Sequence, residues 1–147
     1  MSPAQSNQSG QSGQPRKHVK LRIPLDVPGV ESEEVSAQPL ASGYYLVTTL
    51  PAVAKDCALG DVVRAAFVDE ILEFREVAVA GGNKTLRVLV DAIAVDHVRA
   101  QLEALDLYVE APMAEMLTVN IAPDSPTHGL EMLLDELHAQ GMIYRAL

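Results

Sequence analysis

Cysteine occurs once in the 147 residues, as Cys57, which excludes an intrachain disulfide and fits a reducing compartment. Its neighbours Asp56 and Ala58 supply no positive charge, so nothing adjacent favours the thiolate and the thiol reads as inert. Long apolar runs are also missing. None approaches the roughly 18 residues that span a bilayer, so no membrane partner is expected. The N-terminus lacks the charged-then-apolar order of a secretion signal, and the expected location is the cytoplasm. Basic residues are scarce: 11 Lys and Arg stand against 20 Asp and Glu, a net charge of −9. Three of the 11, Arg16, Lys17 and Lys20, fall in the first twenty residues, leaving the rest of the chain at −12. From Val95 onward nine acidic residues face only Arg99 and Arg145. Such a surface repels phosphates and excludes nucleic acid as a partner of the folded part, while suiting a basic protein. A Gly-x-Ser-x-Gly elbow, a P-loop and a dinucleotide fingerprint are all absent, and Gly81-Gly82-Asn83 lacks the helix a phosphate cradle needs. No cofactor is implied.

What is present is ample apolar material. With 48% hydrophobic residues and mean hydropathy +0.11, the chain can bury the core of one domain or of two small subdomains. Residues 1–17, with Gln-Ser-Gly twice in succession at 8–13, cannot bury enough surface to offset ordering and read as a disordered tail. Val19, Leu21, Ile23, Leu25 and Val27 alternate with polar residues or Pro24, the pattern of a half-buried edge strand that Pro28-Gly29 ends. Glu31 to Glu34 reads as an acidic connection. Residues 35–40 and 43–50 read as paired strands, and residues 59–67 and 72–80 as two more joined tightly through 68–71.

Gly81-Gly82-Asn83-Lys84 then reads as a hairpin turn into the strand 85–91, with Ala78 opposite Arg87. On that register Val77, Val79, Leu86, Val88 and Val90 form the core face, and Glu76 lies diagonal to Arg87 on the other. After Asp91 the period changes. Val95, Val98, Leu102 and Leu105 mark an amphipathic helix. Residues 107–111 and 116–121 read as strands. A second helix over 127–140, with Ser125 as cap, Pro126 in its first turn and Gly141 after its end, buries Leu130, Leu133, Leu134 and Leu137. Residues 142–147 close the chain as a strand. The expected fold is α+β: a small antiparallel β-barrel or curled sheet over 18–80, then a ferredoxin-like βαββαβ unit over 81–147 that begins with the strand 85–91.

Glu34 and Ala37, Gly43-Tyr44-Tyr45, Pro51, Leu59-Gly60-Asp61-Val62-Val63 and residues 82–88 together give a resemblance. From about Val19 to Leu147 the chain resembles an uncharacterised bacterial family of similar length, described only as a domain of unknown function. The resemblance implies an architecture and no catalytic residue.

Two constellations are candidate sites. Glu34, Asp61, Asn83 and Arg87 are the polar residues of the most motif-like segments. Converging, they would bind a ligand, with Arg87 on an anion and Asp61 or Glu34 as base. Their structural alternative is that Asp61 caps a turn, Asn83 supplies a left-handed turn conformation, and Glu76 or Glu34 pairs with Arg87. The second set, His128, Glu131, Asp135 and His138, forms one stripe on the last helix at a spacing that can ligate a divalent metal. An exposed helix face rarely closes such a site without a second element, so the competing reading is a solvated face.

No catalytic residue is assigned. The expected function is a non-enzymatic acidic protein-binding module, immunity or antitoxin-like in one version. The alternatives are a small-ligand-sensing or self-associating regulatory domain, which admits a homo-oligomer, and an enzyme using Asp61 and Arg87.

Overall fold

The computed structural model describes residues 17–147; the expected tail lies outside the described residues apart from Lys17. The first five strands are β1 (Val19–Val27), β2 (Val30–Pro39), β3 (Tyr44–Val47), β4 (Val62–Val68) and β5 (Ile71–Val79). They follow one another in a curled sheet. Neighbours pair antiparallel, and the order closes on itself through one parallel register pair, Arg22 opposite Glu73. The two side chains form a half-buried ion pair of 2.7 Å at that point. Alternation sends Leu21, Ile23, Val35, Ala37, Val47, Val63 and Leu72 into one buried cluster, as a sheet with one solvated face requires. Val79, placed on the core face by the hairpin register, is exposed.

Pro28-Gly29 is the turn between β1 and β2, with Val27 opposite Val30. The acidic residues Glu31 to Glu34 therefore lie inside β2 rather than in a connection. Pairing with β1 extends the strand through them, and Glu31 and Glu34 point to solvent. The tight link at Asp69-Glu70 holds both residues at positive φ, 51° and 69°, the conformation a two-residue hairpin of matching twist demands.

The remaining elements are β6 (Lys84–Val90), a 3-10 turn (Ala92–Ala94), α1 (Val95–Glu103), β7 (Tyr108–Met113), β8 (Met116–Ile121), α2 (His128–Ala139) and β9 (Ile143–Ala146). The strands make a second sheet in the order β7-β8-β6-β9, every pair antiparallel. Val88, Val90, Leu117 and Val119 meet Val98 and Leu102 of α1 and Leu130 and Leu137 of α2 in a second core, so both helices cover one face. Leu105, expected in the α1 stripe, lies beyond the helix end and is 41% exposed. Thr127, not Ser125, is the N-cap of α2. Ser125 already donates its N–H to Ala122 O in a preceding turn. Gly141, at φ 74°, ends the helix as expected. No described helix is long and apolar enough to cross a membrane.

One expectation is overturned outright. β5 and β6 are not a hairpin: β5 pairs with β4 and β1, and β6 with β8 and β9. The Gly81-Gly82 stretch is instead the crossing point between the two sheets. A Cβ at Gly81 would lie 2.6 Å from the backbone oxygen of Gly60, and Gly82 sits at φ 88° against Pro123. Gly81 serves close approach of two backbones and Gly82 a left-handed conformation beside the Pro123 ring, rather than a hairpin turn. Gly81→Ala is expected to lower the unfolding free energy by about 2 kcal/mol through overpacking against rigid backbone, read from urea denaturation.

Candidate functional site

The long connection between β3 and β4, residues 48–61, lies against the face of the second sheet that the helices leave uncovered, and the polar residues of interest gather there. Val35 and Ala37 fix the phase of β2, so Glu33 also points inward, opposite Ile23. Its carboxylate accepts hydrogen bonds from the backbone N–H groups of Ala52, Val53 (2.9 Å) and Ala54 (2.8 Å). From the other side, β6 carries Arg87. Its guanidinium donates to the carbonyls of the same loop: Nε to Ala52 O at 2.6 Å, and Nη2 to Ala54 O at 2.7 Å and Pro51 O at 3.3 Å. Residues 51–54 are thus clamped, their amides by an anion and their carbonyls by a cation. Charge-assisted hydrogen bonds of this kind are about twice as strong as neutral ones. Burial lowers the Arg87 pKa from its ordinary value, and the nearby Glu33 carboxylate acts against that shift.

Asp61 is buried and closes the other end of the loop. Its Oδ2 accepts from Ala58 N at 2.9 Å and its Oδ1 from Gly81 N at 2.8 Å. It caps the turn as the structural alternative expected, and it also ties the loop to the sheet crossing. Asn83 accepts from Asn120 Nδ2 at 3.0 Å. The left-handed conformation expected of Asn83 belongs to Gly82 instead. Asp61, Asn83 and Arg87 line one cavity of about 310 Å³ with Lys55, Cys57 and Thr85. The Thr85 hydroxyl there is buried and has no hydrogen-bond partner among the described residues.

Glu34 does not join them. It is exposed, 3.9 Å from Lys20, and lines a separate surface depression with Tyr45 and Phe67. An acid–base site on Glu34, Asp61 and Arg87 needs all three in mutual reach, and the structure brings together only two, both engaged with backbone. Neither expected partner pairs with Arg87. Glu76 pairs with Arg64 at 2.8 Å. Glu33, which sequence reasoning missed, is the carboxylate across the loop. Continuing the inward phase of Val35 two residues back would have found it. The four residues of the α2 stripe, His128, Glu131, Asp135 and His138, are all exposed on one helix. Among the described residues no group of three or more His, Cys, Asp or Glu side chains is placed to hold a metal. Among the described residues no second element supplies ligands to close a coordination shell there.

Cys57 is buried, and its thiol pKa is pushed up to about 12, first by burial and then by the charges of Asp61, Asp56 and Glu33. The folded chain is expected to react with iodoacetamide at pH 8 far more slowly than the urea-unfolded chain. A thiol that stays protonated when folded but ionises near 9.0 when unfolded contributes stability fully below pH 9, and that contribution is lost as pH rises toward 12. Urea midpoints measured across that window should fall more steeply for the parent chain than for Cys57→Ala.

A family model described as "Domain of unknown function (DUF4265)" matches residues 33–144. Among solved structures the chain is similar to one titled "Novel crystal structure of a hypothetical protein from Neisseria gonorrhoeae". The TM-score is 0.72 at 19% identity, over 91% of this chain and 94% of that one, which is a likeness of fold. No curated protein matches.

Proposed function

Because the chain belongs to the DUF4265 family, whose description assigns no chemistry, we propose its function from its surfaces. It is a non-enzymatic cytoplasmic protein-binding module that presents acidic helices to a basic partner, an immunity or antitoxin-like role being one concrete form. One observation carries this reading. The buried Asp61 and the half-buried Glu33 and Arg87 are engaged by the chain's own backbone, whereas Asp96, Glu103, Glu131, Asp135 and Glu136 stand exposed on α1 and α2. Among the described residues, only Glu103 of these has a basic partner, Arg99 at 3.4 Å. Long-range attraction from such a face accelerates encounter with a basic surface and weakens with salt. We read the helical layer and its sheet as a ferredoxin-like unit over 81–147 beside a β subdomain over 18–80. The strand order, with β8 between β6 and β7, supports that reading.

Affinity capture from the host, repeated with a Glu131→Lys, Asp135→Lys, Glu136→Lys variant, tests the proposal. One stoichiometric basic protein should be retained at low salt, released as salt rises, and lost with the variant, whose urea midpoint stays near the parent's because all three side chains are exposed. An empty or salt-insensitive capture, or one the reversed charges leave intact, contradicts it.

The alternative of a small-ligand-sensing regulatory domain is favoured by a separate observation. A second cavity, about 530 Å³, opens between the curled sheet and the helix-free face of the second sheet.

A further inference from the structure

Building on the ligand-sensing reading, we infer that this inter-sheet cavity is a binding site for an amphipathic carboxylate. Its apolar chain lies among Leu25, Val53, Leu89 and Met116, and its head meets the unengaged Nη1 of Arg87. A volume of about 530 Å³ is that of an ordinary small-molecule site. Eight of its twelve lining residues are apolar, so the body of the ligand must be apolar too. Loop 52–56 forms one wall, and the chain end at Leu147 contributes to another.

The head group follows from how Arg87 is held. Nε and Nη2 are engaged with loop carbonyls. Nη1 donates to no described residue and is not among the fully buried polar atoms that lack a partner, so it keeps some solvent access. The three carbonyl bonds fix the guanidinium before any ligand arrives. A donor nitrogen held in place loses little entropy when a carboxylate docks on it. The other charged lining residues, Asp26, Lys55 and Asp56, are exposed at the rim, where water and salt screen them. Arg87 is half-buried, and its charge is felt more strongly inside. Glu33 does not compete for this edge, since its carboxylate is taken by three amides across the loop. An apolar chamber with one fixed, unengaged cationic donor selects an anion with a hydrocarbon tail.

Calorimetric titration of the full chain with decanoate, decanol and decylamine, each below its micelle concentration or solubility limit, tests this, with amide and methyl NMR shifts to locate the ligand. Decanoate should bind about tenfold tighter than decanol, the worth of a hydrogen bond to a charged group. Shifts should concentrate at residues 53–56, Leu89 and Met116. Leu89→Trp, which fills the cavity from the sheet side, should abolish binding. Equal affinity for decanoate and decanol, or preference for decylamine, overturns the head-group assignment and leaves ligand sensing standing. Shifts elsewhere on the surface overturn the site, and no saturable binding of any probe overturns both.

Discussion

Glu33→Ala lowers the unfolding free energy by about 3 kcal/mol, equivalent to a fall in Tm of about 10 °C for a chain of this size. The expected loss is large because one carboxylate serves three backbone donors in the segment 52–54, and Ala52 and Ala54 are buried. Without the acceptor those N–H groups are left in a region water reaches poorly, and each unsatisfied donor costs about 1–3 kcal/mol. Loop rearrangement recovers part of that, which keeps the sum near the lower end. Glu34→Ala, one residue along, removes only a solvent-exposed pairing with Lys20 at 3.9 Å and is expected to change stability by less than about 0.5 kcal/mol. The contrast between adjacent glutamates is read directly from paired urea denaturation curves.

Leu117→Ala carries a loss of about 3–4 kcal/mol by a different mechanism. Leu117 is fully buried on β8, across from Val88, in the cluster that joins the second sheet to both helices. Truncation removes transfer free energy and leaves a cavity that two helices packed on a sheet close only partly. Leu105→Ala, at a position 41% exposed, is expected to cost less than about 1 kcal/mol, although its spacing alone places it in the same stripe as Leu102. Thermal unfolding of the two variants separates the buried leucine from the exposed one.

These two cases mark where the sequence is legible. Alternation in β1 and the three-and-four spacing in α1 and α2 point to the residues that are in fact buried, Leu21, Ile23, Val98, Leu102, Leu130 and Leu137, because a single element sets that periodicity. The β5–β6 link is misleading in sequence because Gly81-Gly82-Asn83 is a strong local turn signal. The competing facts, close contact with Gly60 and pairing of β6 with β8 and β9, are non-local. The site was half legible for the same reason. Asp61 and Arg87 stood out by motif and share a cavity. Glu33 was hidden by assigning its segment to a connection, although the phase of Val35 and Ala37 extends to it. No local pattern announces that an arginine's partners are the carbonyls of a loop more than thirty residues upstream.

Glu33 and Arg87 act as one clamp on residues 51–54 and so join the two sheets. A double-mutant cycle on Glu33→Ala and Arg87→Ala, measured by urea unfolding, tests it most directly. The clamp predicts a coupling free energy of at least about 1 kcal/mol, since losing either partner frees the loop that the other holds. Losses that add to within about 0.3 kcal/mol would contradict it.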